Sequence, residues 1–183
     1  MASPSKEDCV LELILENSPL REWHFDEIVR EADVSRAVAA KWLGRFVKDG
    51  MLKRVKQRKR FPHFTAGRGN AVYQARKRLY ALERMQKSGL LAVLTSLESA
   101  RTVIIFGSMA RGDWYRDSDV DVFVLGEPGA FDKSIYERRL NRNIELHVFA
   151  SRQEMKRVQT GLLENVVNGY LVKGSIQDVM RVP

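Results

Sequence analysis

Cysteine is almost missing from this sequence, and its scarcity sets the first limits. Cys9 stands alone among 183 residues, which excludes an intramolecular disulfide and a cysteine metal cluster and agrees with a reducing compartment. Long apolar runs are missing too. None approaches the ~20 residues of a membrane span, and the opening "MASPSKEDCV" lacks the basic-then-apolar layout of a signal peptide. We therefore expect a cytoplasmic protein without a membrane partner.

Acidic residues are almost missing from the middle of the chain. Residues 51–89 contain 12 Lys and Arg against the single acid Glu83, whereas residues 1–50 have a net charge of −3 and residues 90–183 a net charge of zero. The formal net charge of +8 therefore arises in one segment. Such a segment predicts contact with a polyanion, most often nucleic acid. The alternative is a solvated basic surface without a partner.

The chain does contain enough apolar sequence for a folded core. Hydrophobic residues make up 44% and charged residues 30%, as in ordinary soluble proteins. The length suits one medium domain or two small ones, and the uneven charge favours two. We predict an α+β protein with one domain over residues 1–66, a connecting basic helix over 67–89 and a second domain over 90–183.

The first fifty residues have the apolar spacing of three short helices. The first covers Lys6–Glu16, the second lies within "HFDEIVREAD", and the third begins after Ser35, whose hydroxyl suits an N-cap. Gly50 ends the third helix, and "MLKRVKQRKRFPHFTAG" then predicts two strands, Leu52–Val55 and Phe61–Thr65, around a basic tip. Closely spaced helices followed by such a hairpin resemble winged helix-turn-helix domains.

The winged-helix resemblance implies a DNA-binding role for six basic residues. Outward side chains of the third helix would lie in or beside the major groove of double-stranded DNA, and the hairpin tip would contact phosphate or the minor groove. These residues are Arg36, Lys41 and Arg45 on the helix, and Arg58, Lys59 and Arg60 at the tip. Winged helices also dock proteins or form dimers, and that alternative stays open.

A long helix is predicted next, over Asn70–Lys87, with Asn70 as its cap and Gly89 after its end. Its apolar stripe either bridges the domains or forms a homodimer interface. The apolar run "TVIIF" then predicts a buried strand that ends at Gly107 and Ser108. The free amides that open a following short helix, Met109–Arg111, suit a phosphate group.

Two aspartates interrupt the next predicted strand. Asp119 and Asp121 are two residues apart, so they point to the same face of a strand, about 6.6 Å from each other along the chain. Neighbouring carboxylates repel each other, and a divalent cation bound by both would compensate. The alternative is a pair of exposed acids matched by arginines.

The whole stretch "GSMARGDWYRDSDVD" follows one pattern, G-S-x-A-R-G, five residues, then S-D-x-D. This pattern resembles the signature of the minimal nucleotidyltransferases of the DNA polymerase β-like superfamily, and the similarity extends over about Leu90–Lys173. A winged helix joined to such a domain resembles fusion proteins of archaeal type. The resemblance implies Mg²⁺, as one or two ions, and a nucleoside triphosphate such as ATP. The residues it implies are Asp119 and Asp121 for the metal, and Gly107, Ser108, Arg111 and Ser118 for the nucleotide.

Glu145 is the candidate for the third carboxylate that the resemblance implies. The segment "NIELHVF", Asn143–Phe149, predicts a strand that follows a helix over Phe131–Leu140. Many minimal nucleotidyltransferases have aspartate at this place, and in the wider superfamily a glutamate here resembles a general base. Glu145 is therefore either a metal ligand or a base. His147 shares its face and is interpreted as structural.

The remaining chain predicts a capping box at Ser151–Glu154, one or two helices over Met155–Val167 and a strand over Tyr170–Lys173. Together these elements make a mixed sheet of about four strands with helices on it.

The sequence therefore leads to one function and one alternative. The first is Mg²⁺-dependent transfer of a nucleoside monophosphate, AMP from ATP, to an acceptor hydroxyl, by a chain that also binds DNA. Minimal nucleotidyltransferases often act as antitoxins that modify a toxin with a HEPN domain, so a HEPN-type protein is one expected acceptor. The alternative is a DNA-binding regulator or antitoxin-like protein whose nucleotidyltransferase domain senses nucleotide or is a scaffold.

Overall fold

The chain divides into two compact units, residues Met1–Lys77 and Arg78–Pro183. The structure is a computed structural model that describes residues 5–58, 60–156 and 160–180. Within those three ranges, no helix combines the length and the apolar character that crossing a bilayer requires. The predicted boundaries after residues 66 and 89 stay predictions.

Among its described residues, the first unit contains three complete helices, the first turns of a fourth and a small antiparallel sheet with the strand order β1–β3–β2. Its core is formed by aliphatic and aromatic side chains of all three helices, among them Ile14, Ile28 and Phe46, and by Trp23. The elements are α1 (Lys6–Glu16), β1 (Trp23–His24), α2 (Phe25–Glu31), α3 (Arg36–Lys48), β2 (Leu52–Val55) and β3 (His63–Ala66).

The start of helix α3 agrees with the sequence prediction, whereas strands β1 and β3 differ from it. The Ser35 hydroxyl accepts a hydrogen bond from the amide of Val38, so the predicted cap of α3 is confirmed. Strand β3 begins at His63, two residues later than predicted, because Pro62 has no amide to donate to the ladder. Strand β1 was not predicted, since two residues carry no readable alternation.

Helix α4 (Ala71–Ser88) crosses the boundary between the units. The side-chain oxygen of Asn70 accepts a hydrogen bond from the amide of Val72 at 2.8 Å, so the predicted cap is confirmed. Gly89 follows the helix with a φ of +85°, a conformation that glycine adopts without steric cost.

The second unit is built on a four-stranded sheet with the order β6–β5–β4–β7. Strands β5 and β6 are parallel, and the other two pairs are antiparallel, so the predicted mixed sheet is confirmed. The elements are α5 (Leu90–Ser96), β4 (Ala100–Phe106), α6 (Gly107–Arg111), β5 (Val120–Gly126), α7 (Lys133–Leu140), β6 (Ile144–Phe149), α8 (Arg152–Met155), α9 (Thr160–Val167), β7 (Tyr170–Lys173) and α10 (Gln177–Met180).

One face of this sheet forms a core with the last helices of the chain. Phe123 of β5 and Ile104 of β4 pack there with Met155, Val166 and Val179 from α8, α9 and α10. Residues i and i+2 of a strand share a face, so Asp121 lies on the face of Phe123, one step beyond this cluster. The acidic end of β5 therefore belongs to the same face as the core.

Two details at the end of the chain differ from the prediction. The Ser151 hydroxyl makes no capping bond; instead the Glu154 carboxylate accepts a hydrogen bond from the amide of Ala150 at 2.9 Å. The predicted capping box is therefore wrong, because the carboxylate reaches the residue before the expected one. Helix α10 was not predicted, and Asp178 within it is anchored by hydrogen bonds from Thr102 and Arg152.

Candidate nucleotide and metal site

The parallel pairing of β5 and β6 brings two of the three predicted acids together. Asp121 and Glu145 are partners in the ladder, so their side chains point to the same face on neighbouring strands. The start of β6 is fixed by α7: the Ile144 amide donates to Glu137 at 2.9 Å, and Lys133 donates to the Ile144 carbonyl at 2.9 Å. The two backbone hydrogen bonds of Ile144 therefore hold the start of β6 in place and position Glu145 beside Asp121.

Gly107 lies directly against the Asp121 side chain. It follows Phe106, the residue that pairs with Asp121 across β4 and β5, and it has a φ of +69°. A Cβ at Gly107 would clash with the Asp121 carboxylate oxygen and approach its Cγ to 2.9 Å. Gly107 is also the first residue of α6, two residues before the predicted start, so the glycine-serine turn and the acid share one small space.

The surroundings of Asp121 disfavour the ionised form of its carboxylate. Its partial burial raises its pKa above the usual value. The nearby His147 opposes that rise, the charges of Glu145 and Asp119 add to it, and Arg111 opposes it weakly. A carboxylate in a cleft whose ionised form is disfavoured in this way is a candidate functional residue.

His147 joins the two acids, which the sequence did not predict. Its Nε2 lies 3.9 Å from an Asp121 oxygen and 3.7 Å from a Glu145 oxygen. This nitrogen is buried and has no hydrogen-bond partner. Over the described ranges, Asp121, Glu145 and His147 form a group whose ligand atoms all lie within 4.8 Å of one another, close enough for one metal ion.

Asp119 lies directly before β5 begins and stands outside that group. It is half-buried, and it borders an open polar cleft of about 640 Å³ that is also lined by Arg116, Arg138 and Asn141. Asp121 lies next to Glu145 and His147, whereas Asp119 lines the cleft. The charge of Asp119 still acts on Asp121, because it contributes to the raised pKa of Asp121.

The three other residues predicted to bind nucleotide lie in α6 and in the loop that leads from α6 to β5. Ser108 is half-buried in the first turn of α6. The Arg111 guanidinium is half-exposed and pairs with Asp113 at 3.2 Å. The Ser118 hydroxyl accepts a hydrogen bond from the Tyr115 amide at 3.0 Å, which ties it to its own loop.

Arg142 fixes the loop before the aspartates, and sequence reasoning missed it. Only 8% of its surface is exposed, and its guanidinium lies 5.1 Å from the Trp114 ring centroid. Its Nη1 donates to three carbonyl oxygens, those of Tyr115 at 2.5 Å, Arg116 at 2.7 Å and Ser118 at 3.0 Å. Because Asp119 follows Ser118, this clamp sets where the Asp119 side chain begins. An arginine 23 positions away gives no local signal of such a contact.

Arg142→Ala is expected to lower both stability and the affinity of the site for a divalent cation. The change removes the charged donor of three carbonyls, and we expect a loss of about 2–3 kcal/mol in the free energy of unfolding. Denaturant unfolding and calorimetric Mg²⁺ titration measure the two effects. Arg139→Ala is the matched control, since Arg139 is exposed and its Nη1 donates to the Ser88 carbonyl. Equal losses of cation affinity in both variants would contradict the positioning role.

Five of the six residues predicted to contact DNA are exposed on the first unit. Arg36, Lys41 and Arg45 are exposed on α3, although Arg36 pairs with Asp26. Arg58 and Arg60 are exposed between β2 and β3. Lys59 lies outside the described residues.

The first unit also has an apolar cleft, which is lined in part by Arg36, one of these basic residues. It has a volume of about 830 Å³ and is lined by Phe25, Leu43, Val47 and Phe64 together with Phe61, of which 85% is exposed. Such a surface beside the basic residues suits either protein docking or close contact with another macromolecule.

Comparison with known proteins gives a family match within the second unit. Residues 88–172 match the family described as "Nucleotidyltransferase domain". The matched residues lie within the second unit and include its four-stranded sheet almost completely. No curated protein sequence matches the chain. A crystal structure of a mutant of the toxin–antitoxin pair MntA–HpeT is 17% identical and covers 57% of this chain and 79% of its own, with a TM-score of 0.34. A TM-score this low does not establish a shared fold.

Proposed function

We propose that this chain, whose residues 88–172 match a nucleotidyltransferase domain, moves a nucleoside monophosphate from a nucleoside triphosphate to an acceptor hydroxyl. ATP is the donor we propose. The observation that carries the proposal is the meeting of Asp121, Glu145 and Gly107 in one small space, with the acids paired across β5 and β6. These residues are far apart in the sequence, and the strand pairing of the sheet brings them together.

The donor atoms of the site fit a divalent cation. Carboxylate oxygens of Asp121 and Glu145 and the orphaned nitrogen of His147 lie within 4.8 Å of one another, and the pKa of Asp121 is raised by burial and by neighbouring acids. These residues, with Asp119 nearby, would hold Mg²⁺. When bound, Mg²⁺ would neutralise the triphosphate and the leaving pyrophosphate.

The residues of the chain have separable roles in the proposed reaction. The backbone at Gly107 and Ser108 binds the terminal phosphates, because these residues open α6 beside Asp121, whose carboxylate occupies the space that a Cβ at Gly107 would fill. Glu145, whose side chain is 60% exposed, accepts the proton of the acceptor hydroxyl. The hydroxyl oxygen bonds to the α-phosphorus, the bond between the α-phosphorus and the bridging oxygen breaks, and pyrophosphate leaves. The cleft beside Asp119 gives space for the rest of the substrates.

Incubation of the full chain with ATP labelled on the α-phosphate tests this proposal. Cell extract, purified DNA or neither is added, and label in protein, nucleic acid or small molecules is separated. We expect label to enter one macromolecular fraction only when a divalent cation is present. Absence of transfer with every acceptor and cation would contradict the proposal.

We also propose that the first unit is a winged helix-turn-helix module that binds double-stranded DNA. The proposal is supported by the order of three helices and a hairpin, by the exposed cations of α3 and by the exposed Arg58 and Arg60 of the hairpin tip. Arg58 and Arg60 lie in residues 51–89, where Glu83 is the single acid, so the hairpin tip attracts phosphate.

Neutralising the hairpin tip is expected to weaken DNA binding and to flatten its salt dependence. Replacing Arg58, Lys59 and Arg60 with alanine removes up to three phosphate contacts, so the slope of log affinity against log salt should fall by about 0.9 for each contact. Fluorescence anisotropy at several salt concentrations measures the slope. The control is the alanine variant of Lys87, Arg139 and Lys156, which are exposed and give the same charge change on the second unit. An equal fall in both variants would contradict the assignment.

A regulator that binds DNA and senses nucleotide is the alternative. It is favoured by the union of a basic three-helix unit with a nucleotidyltransferase domain in one chain. The two functions differ in one outcome of the labelled-ATP experiment. The regulator binds ATP and transfers no label, and its DNA affinity changes when ATP is added.

A further inference from the structure

His147 is fixed by packing so that one ring nitrogen faces the two acids. It follows Glu145 by two residues on β6, so both side chains share a face, and its ladder partner is Phe123. Its ring packs edge-on against Phe106, with centroids 5.0 Å apart and an interplanar angle of 62°. The ring is therefore oriented by neighbours that are themselves part of the sheet core.

That nitrogen lies near two carboxylates and forms a hydrogen bond with neither. Nε2 lies 3.7 Å from Glu145 and 3.9 Å from Asp121, beyond the 2.7–3.2 Å of a normal hydrogen bond, and it is buried. Two ligand atoms of one cation, each about 2.1 Å from it, are about 3.0 Å apart at right angles and about 4.2 Å apart when opposite. Both distances from Nε2 fall between these limits.

We infer that His147 is a ligand of the cation at the proposed transfer site, and that it shifts the preference of the site from Mg²⁺ toward first-row transition metals. Mg²⁺ favours oxygen ligands, whereas imidazole nitrogen suits softer divalent ions, whose affinities rise from Mn²⁺ to Co²⁺. This inference rests on the proposed function, because it uses the same cation site. It assigns a mixed carboxylate–imidazole site where carboxylates alone were predicted.

Calorimetric titration of the full chain with Co²⁺ and with Mg²⁺ tests the inference. We expect His147→Ala to weaken Co²⁺ binding by about 10- to 100-fold, a range that even supporting residues of metal sites reach, and to change Mg²⁺ binding much less. In His147→Gln an amide oxygen replaces the ring nitrogen at similar reach, so this variant should keep the Mg²⁺ affinity of the wild type and should still bind Co²⁺ weakly. His24→Ala is the matched control, because His24 is exposed on the first unit and its loss should change neither affinity.

Pulsed electron paramagnetic resonance of bound Mn²⁺ gives a direct second readout. The wild type should show coupling to a coordinated nitrogen, and His147→Gln should lose it while still binding Mn²⁺. Nitrogen coupling that survives in His147→Gln, or equal loss of Co²⁺ and Mg²⁺ affinity in His147→Ala, would overturn the role of His147 and leave the proposed function standing. A wild type that binds none of these cations would overturn both.

Discussion

Asp121→Asn is expected to abolish nucleotidyl transfer while leaving the fold at least as stable as the wild type. The asparagine cannot supply the negative charge that a cation needs, and we expect a loss of about 10²–10³-fold or more in transfer rate. The fold should tolerate the change because burial raises the pKa of Asp121, so its ionised form costs stability at neutral pH. Label transfer and thermal unfolding measure the two effects.

The free energy of unfolding should depend on pH differently in the wild type and in Asp121→Asn. The folded-state pKa of Asp121 lies above its usual value, so the cost is present at neutral pH and fades as pH falls through the folded pKa. The asparagine variant should lack this contribution. Glu127→Gln is the matched control, since Glu127 is an exposed acid beyond the other end of β5. Asp121→Asn with full transfer activity, or with a collapsed fold, would contradict the assignment of Asp121.

Gly107→Ala is expected to lower both stability and transfer. A left-handed φ costs a residue with a Cβ about 1–2 kcal/mol, and forcing a methyl group against Asp121 adds about 1–3 kcal/mol. The clash pushes the Asp121 carboxylate away from Glu145 and His147, so cation affinity falls with stability. Denaturant unfolding and cation titration measure both.

Gly129→Ala separates the two costs. Gly129 has a similar φ of +59°, but a Cβ there would meet nothing within 4 Å, so its alanine variant reports the backbone cost alone. The double variant Gly107→Ala with Asp121→Ala removes the clashing atoms and should regain stability without regaining transfer. If Gly107→Ala loses no more stability than Gly129→Ala, the close approach of Gly107 to Asp121 is wrong.

Much of the fold could be predicted because the local signals agree with one another. The caps at Ser35 and Asn70 and the apolar runs around Gly107 and the aspartates each marked an element that the structure contains. The features that were predicted wrongly or not at all are a very short strand and a cap that depends on which amide a side chain reaches. Strand β1 has two residues, and Ser151 lost its capping role because Glu154 bonds one residue earlier.

The site was predicted less completely, since part of it depends on the register between strands. Spacing alone paired Asp119 with Asp121, whereas the ladder between β5 and β6 pairs Asp121 with Glu145 and places His147 beside both. The clamp by Arg142 depends on a turn between α7 and β6 that returns to the loop before β5. A sequence pattern shows how residues are spaced along one strand, but it does not show which residues of two strands lie opposite each other.

The most direct measurement is a crystal structure of the full chain with Mn²⁺ and an ATP analogue that resists cleavage at the α-phosphate. The account predicts the cation between Asp121 and Glu145, with the terminal phosphates against Gly107 and Ser108. A nucleotide bound elsewhere, or a cation that touches neither acid, would contradict it.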